Sequence, residues 1–318
     1  MQSQCILSIQ TPLGPPVEII RHTFRSSQSA KPAKRVSLVA GLHGDELEGL
    51  YICHRLMETL KILEEQNAFK GEVHIYPAVN PQALETGTRL WPFFSVDINR
   101  TFGETNAPSL VTDTSRTLLE DLKSHSDLVV DFHASNLHLM ELPQIRIIKD
   151  FEKKLVPLAE HCNVDLVWVH PHAGIFESTL GYNLNQAKVP TLVIESGICL
   201  RIHKNYCDQI ILGILNLLRQ TGVIDSGEPL AEVRPPRLVQ PDYVAMIQAR
   251  NAGLFVKQAE VGQMLKEGDK IGDLIGPDQV REEIRSPCSG LLFTLREHPL
   301  TGKGAPLARI ATEKPFKP

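Results

Sequence analysis

Residues 38 to 50, LVAGLHGDELEGL, set a histidine, an aspartate and two glutamates directly behind an apolar run. The run RVSLVAGL suits a buried strand. The segment that follows, ELEGLYICHRLMETLKILEEQ, has apolar residues at 47, 50, 53, 56, 57, 60 and 63, the stripe of an amphipathic helix. His43 then stands at the carboxyl end of a strand and Glu46 in the first turn of a helix. An imidazole and a carboxylate so spaced across a strand–turn–helix junction can reach one metal ion, and Gly44 frees the backbone to turn between them. Asp45 and Glu46 would also suit a helix start with no metal, through the macrodipole.

A catalytic metal needs a third protein ligand and an open position. Twelve histidines compete for that role. His133 ends another valine-rich strand, DLVVDFHAS, and so repeats the location of His43. His170 and His172 also follow a strand, whereas His22, His54, His74, His125, His138, His161, His203 and His298 sit in helical or surface-like contexts. Glu195, in VIESG, closes a further strand where no helix follows at once. There it suits a general base beside a metal site, or a buried carboxylate paired with an arginine. Between the candidate ligand segments runs NPQALETGTRLWPFFSVDINRTFGE, mostly loop-like, with Arg89, Asn99 and Arg100. Arginines there can grip a carboxylate in two-pronged fashion or stabilise an oxyanion, or stand as ordinary surface charges.

Strands must bring these residues together. RVSLVAGL, EVHIYPAV, SDLVVDFH, VDLVWVH and TLVIESG read as buried strands. SRTLLEDLKSH, FEKKLVPLAEHC and HKNYCDQIILGILNLLRQTG read as helices between or after them. Such alternation predicts an α/β fold with a mixed central sheet flanked by helices, whose ligands bind at the carboxyl rim of the strands. The proline-rich segment 226–243 reads as a linker or crossing arm. Beyond it the texture changes to short strands and glycine turns, so we divide the chain at 230/231 into a catalytic region and a small C-terminal all-β barrel or sandwich. Two half-repeats open at Gly253 and Gly290 and turn at Gly268 and Gly304. SPCSGLLF resembles the half-motif of biotinyl and lipoyl carrier domains. The segment between the halves, GPDQVREEIRSP, has no lysine to modify, so a swinging arm is not expected.

In order along the chain, GLHGDELEG, NPQALETGTR, DINRTF, DFHAS and VIESG resemble the succinylglutamate desuccinylase/aspartoacylase family, within the wider clan of zinc carboxypeptidases. The C-terminal β module resembles that of bacterial deacylases in the same family. The resemblance implies one zinc ion per chain held by His43, Glu46 and His133. It implies Glu195 as general acid/base, Arg89 as the group that polarises the scissile carbonyl, and Asn99 with Arg100 as the grip on a substrate carboxylate. DINRTFGE departs from the frequent Phe-Pro-Gly ending, a change in loop shape rather than in ligands.

Composition bounds the rest. With 42% hydrophobic and 22% charged residues in 318, the chain can bury a large core. A net charge of -4 gives no general pull toward nucleic acid or an anionic membrane. There is no run long enough to span a bilayer, and the N-terminal residues lack the pattern of a secretory leader. Six scattered cysteines suggest free thiols in a cytoplasmic protein. We therefore expect a zinc-dependent hydrolase of the amide bond in a small N-acyl amino acid or similar carboxylate. Oligomerisation is left open, Asp45 and Glu48 are read as surface or helix-start charges, and the β module is a candidate roof for the site. A carboxypeptidase acting on short peptides, an esterase or amidase on another metabolite, and a binding protein with a decayed site are the competing readings.

Overall fold

The computed structural model describes residues 1–11, 13–26, 34–103, 110–225, 233–277 and 281–316. The division expected at 230/231, much of the segment read as a linker, Glu104 of DINRTFGE, and residues 278–280 between the two half-repeats lie outside them.

The strands run in chain order as β1 Gln2–Ile9, β2 Val17–Arg25, β3 Arg35–Val39, β4 Glu72–Tyr76, β5 Leu128–Ala134, β6 Leu139–Ile148, β7 Leu166–His170 and β8 Thr191–Gly197. They continue as β9 Arg237–Val239, β10 Val244–Gln248, β11 Gly253–Lys257, β12 Met264–Leu265, β13 Lys270–Ile275, β14 Arg281–Arg285, β15 Gly290–Arg296, β16 Leu300–Thr301 and β17 Pro306–Thr312. Six α-helices among the described residues accompany them: α1 Leu47–Glu65, α2 Pro81–Thr86, α3 Leu110–His125, α4 Glu152–Ala159, α5 Leu180–Gln186 and α6 Lys204–Gln220. The main sheet orders its strands β1-β2-β4-β3-β5-β8-β6-β15-β17-β10, with β7 on β6 and β9 on β7. β4, β3, β5 and β8 pair in parallel, and β6 meets β8 antiparallel. The expected mixed α/β fold is therefore present. A second, antiparallel sheet orders β14-β13-β11-β16.

Alternation along β5 explains how that strand serves both core and site. Leu128, Val130 and Phe132 join the apolar layer under α1, α4 and α6. Val129 joins the opposite layer under α3 and α5. Asp131 and His133 share Val129's parity, so they stand on the α3/α5 face, where the core gives way to polar groups. All seven residues of β5 are buried because it lies between two parallel neighbours and beneath helices on both faces. α1 comes close enough to press on it: a Cβ at Gly49 would lie 2.9 Å from the Cβ of Phe132.

β11, β12 and β13 correspond to β15, β16 and β17, and the turn glycines Gly268 and Gly304 both take left-handed backbone, φ 88° and 81°. β15 pairs with β6, Thr294 opposite Glu141, so the main sheet runs on into the C-terminal strands. Glu141 is buried at that seam. Its Oε1 accepts from Arg309 Nη1 at 2.6 Å, and its Oε2 accepts from Arg146 Nη2 at 2.6 Å and Gln144 Nε2 at 2.7 Å.

A buried carboxylate is tolerable only while it is compensated. Arg309→Met therefore costs about 3 kcal/mol of unfolding free energy. Chemical denaturation reads this as a lower midpoint, and an unchanged midpoint would show that the seam does not depend on the pair.

Candidate active site

Three elements deliver the candidate ligands. The loop from β3 to α1 turns tightly at Gly44, whose N–H donates to Thr88 O at 2.9 Å and whose missing Cβ would lie 1.9 Å from the Ala83 carbonyl. Asn80 fixes the facing segment by accepting the Ala83 N–H at the start of α2. Glu46 was expected inside the first helical turn, but it occupies the N-cap position with non-helical backbone, φ -98° and ψ 77°. That conformation turns its carboxylate away from the helix axis and between the two histidines.

The convergence is close. His43 Nδ1 lies 2.8 Å from Glu46 Oε1, and His133 Nδ1 lies 2.8 Å from Glu46 Oε2. One ligand atom from each of the three side chains lies within 4.8 Å of the others, and all three residues are buried. The far nitrogens are also engaged: His43 Nε2 donates to Asp97 Oδ1 and His133 Nε2 to Asp131 Oδ2, both at 2.9 Å. Each imidazole is thus fixed in ring orientation with Nδ1 turned inward, the arrangement in which a second carboxylate orients a metal-ligating histidine. Though burial opposes charge on both rings, the surrounding carboxylates raise the two histidine pKa values, and the histidines hold Glu46 well below the usual carboxylate range. The donor set fits a zinc ion, with two imidazole nitrogens and one carboxylate.

A second group, Asp45, Glu46 and Cys199, also converges. Burial pushes the Cys199 thiol far up, and this group offers no imidazole nitrogen, so the His–Glu–His set is the better match to a catalytic zinc.

Glu195 is the register partner of His133 on the neighbouring parallel strand. Its Oε1 lies 3.0 Å from Arg146 Nη1, while Oε2 is buried without a hydrogen-bond partner. Burial dominates over that arginine and raises its pKa to about 7. The arginine partner is thus present, and one oxygen remains for another task. Arg89 gives Nη1 to Glu46 Oε1 at 3.1 Å, and Nε and Nη2 to Asp97 Oδ2 at 3.2 and 3.0 Å. Asn99 accepts the Leu180 N–H through Oδ1 at 2.9 Å, which ties the start of α5 to the short helical turn Ile98–Arg100. Arg100 is exposed, and Nη1 donates to its neighbour's carbonyl, Asn99 O, at 2.8 Å.

These residues line one cavity of about 200 Å³, and every residue lining it falls between positions 43 and 195. Among the described residues no C-terminal strand lines it, and Arg309 reaches it through Glu141 and Arg146. Three other expectations change. Glu48 is fully buried: its carboxylate accepts from Ser196 Oγ and from the backbone N–H of His203, whose ring Nδ1 also bonds it. Asp45 is buried as well. His22 and His74 belong to β2 and β4, and His74 is a core residue. Burial first, and then the nearby Arg21, Arg25 and Arg35 of β2 and β3, keep the His74 imidazole neutral.

Sequence reading missed Asp97, Asp131, Glu141 and Arg146. A signal existed for Asp131: two residues before His133 on a strand means the same face. Asp97 likewise lies in the DINR motif itself. Glu141 and Arg146 could not be found without knowing that β6 pairs with β8. All six cysteines are free thiols, four of them buried. No helix among the described residues is long and apolar enough to cross a membrane.

Fold and site together define a mixed α/β protein with a His–Glu–His cluster at the carboxyl rim of its sheet. Residues 32–221 match the family model described as the succinylglutamate desuccinylase/aspartoacylase catalytic domain. The chain belongs to this family of deacylases. It is 30% identical over 283 residues to the N-alpha-acetyl-L-2,4-diaminobutyric acid deacetylase of Halomonas elongata, covering 86% of this chain and 81% of that protein. Among solved structures, a succinylglutamate desuccinylase/aspartoacylase from Rhodobacter sphaeroides superposes with TM-score 0.78 at 22% identity, covering 95% of this chain and 90% of that one. The product-bound ectoine utilization protein EutE (DoeB) of Ruegeria pomeroyi gives 0.77 at 18% identity, covering 94% and 90%. At these identities the two structures speak for the fold.

Asp131→Asn keeps the shape of the side chain but removes the charge that orients His133. Zinc affinity, measured by competition with a chromogenic chelator, should fall about 10- to 100-fold. Retention of full affinity would mean that Asp131 serves the strand and not the ligand.

Proposed function

We propose that the chain is a zinc-dependent deacylase that hydrolyses the amide bond of a small N-acyl amino acid or similar carboxylate. One observation carries the reading: His43, Glu46 and His133 converge beside Glu195, a carboxylate with one oxygen shielded from solvent and unpartnered. His43 Nδ1, Glu46 and His133 Nδ1 would hold the ion. When bound, zinc supplies Lewis-acid polarisation and lowers the pKa of water from 15.7 toward about 7.

The remaining work belongs to side chains. Glu195 Oε2 accepts the proton of the attacking water, and the same carboxyl then delivers it to the nitrogen that leaves. Arg146 holds Oε1, so the carboxylate presents a fixed edge. Three of the five N–H donors of Arg89 bind Glu46 and Asp97. The two left over are free to stabilise negative charge developing on the carbonyl oxygen, a contribution of about 3 kcal/mol for a donor of this type. Arg100 takes the substrate carboxylate. Asn99 spends its carbonyl on Leu180, so its part is to offer the amide Nδ2. The small cavity favours a compact substrate over an extended peptide.

Glu195→Gln should lower kcat by about 10²- to 10⁴-fold while zinc content stays at one per chain. Near-full turnover with zinc bound would remove the base assignment. The pH profile has a defined sign. Glu195 is a base only when ionised, and its pKa is raised to about 7 by burial. A nearby cation draws that value down, so kcat/KM should climb with pH through a limb at or below about 7, and the Gln variant should lose the limb. Highest activity in strongly acidic solution contradicts the scheme. Chelation should abolish activity and added zinc restore it. Arg100→Ala should raise KM more than it lowers kcat, in steady-state kinetics, because it removes binding and not chemistry.

A further inference from the structure

Granting the deacylase reading above, we infer that the substrate carries a single carboxylate and, away from it, an uncharged apolar group. The cavity supports this by what its wall is made of and by how its charges are already spent.

Beyond the ligand cluster the wall is built from β6, the turn before α4 and α4 itself, the turn ahead of α5, and β8. These elements contribute Ile147, Ile148, Phe151, Leu155, Phe176 and Val193. Polar groups among them are largely used within the protein. Asn185 Nδ2 donates to Gly181 O and Thr191 O, and its Oδ1 accepts the Thr191 N–H. The Thr179 hydroxyl donates to Phe176 O.

The cationic groups are committed in the same way. Arg89 is balanced by Glu46 and Asp97, and Arg146 by Glu141 and Glu195. A second substrate carboxylate set against Arg146 would stand beside two carboxylates already there. His170 is held neutral by burial and by the nearby Arg146 and Arg309, which push its pKa down to about 3. Among the cavity cations, Arg100 alone has no carboxylate partner among the described residues. A substrate ammonium fares no better: Glu46 and Asp131 hold the two histidines, and the free oxygen of Glu195 is the one the proposed reaction uses on water. Extra charge on a substrate would be desolvated without compensation, whereas an apolar group would meet matching surface.

An apolar group could lie on the acyl or on the amine side of the amide, and kinetics with the zinc-loaded enzyme separates them. One series keeps acetyl and varies the amino acid: leucine, phenylalanine, aspartate and 2,4-diaminobutyrate. The other keeps glycine and lengthens the acyl group from acetyl to hexanoyl. We expect kcat/KM at least ten-fold higher for the apolar member of one series than for N-acetylaspartate or N-acetyldiaminobutyrate. Preference for either charged compound overturns the inference and leaves the deacylase reading standing.

Binding without turnover makes the two failures distinguishable. Calorimetry with non-hydrolysable N-methylsulfonyl leucine, aspartate and diaminobutyrate, and with N-hexylsulfonyl glycine for the acyl side, should rank an apolar compound tightest by a similar factor. If it does and no amide is cleaved, the deacylase reading fails and the cavity's preference survives. If a charged compound binds tightest, the preference fails. Phe176→Ala should raise KM for the favoured apolar substrate about ten-fold and leave N-acetylglycine nearly unchanged; equal effects on both would assign Phe176 to the fold.

Discussion

Glu46 is a buried carboxylate set between two imidazoles, and much of the surrounding structure answers to that placement. A lone carboxylate in such a position would cost several kcal/mol and would recover its proton instead. Here three groups approach it: the Nδ1 atoms of His43 and His133, and one Nη of Arg89. Each of those partners needs its own support. Asp97 holds both His43 and Arg89 while capping the turn that carries Asn99 and Arg100, and Asp131 holds His133. The cluster is therefore a closed network in which the carboxylates fix the orientation of the nitrogens. A cation suits its centre for the same reason that protons do, since positive charge there is shared by carboxylates from three separate segments.

The sheet makes this network possible by parity. On β5 and β8 alternate residues go to the core beneath α1 and α6, while Val129, Asp131 and His133 face the other way, together with Thr191, Val193 and Glu195. A slip of one residue would send His133 into the apolar layer and Phe132 into the cavity. Register between the two strands is thus as much a part of the site as the side chains are, and it is secured by burial on both faces.

This explains which features could be read from the sequence. Strand ends after valine-rich runs announce themselves, and so do the candidate site residues that stand there: His43, His133 and Glu195. The mixed α/β character was legible for the same reason. Strands β1, β2 and β6 were less so, because their residues alternate irregularly between apolar and polar, and β6 carries Glu141, Gln144 and Arg146 within an otherwise buried run. Glu48 shows the opposite failure. Its place in the first turn of a helix looks like an ordinary exposed helix-start charge, and only the approach of Ser196 and His203 from distant segments makes it a buried acceptor. Pairings of that kind depend on tertiary contacts that no local pattern encodes.

The last constraint joins the C-terminal strands to the candidate base. Arg309 on β17, Glu141 and Arg146 on β6, and Glu195 on β8 form a row of alternating charge across the seam where β15 meets β6. Trp168 lies alongside, with the Arg309 and Arg146 guanidinium carbons 5.4 and 5.9 Å from its ring centroid. Because Glu141 also binds Arg309, Arg146 does not satisfy Glu141 alone, and its remaining arm is directed to a single oxygen of Glu195. Arg146 steadies that carboxylate without neutralising it, for burial still lifts its pKa to about 7. The C-terminal module thus contributes to the site without lining it: it supplies the outermost charge of the row that orients Glu195.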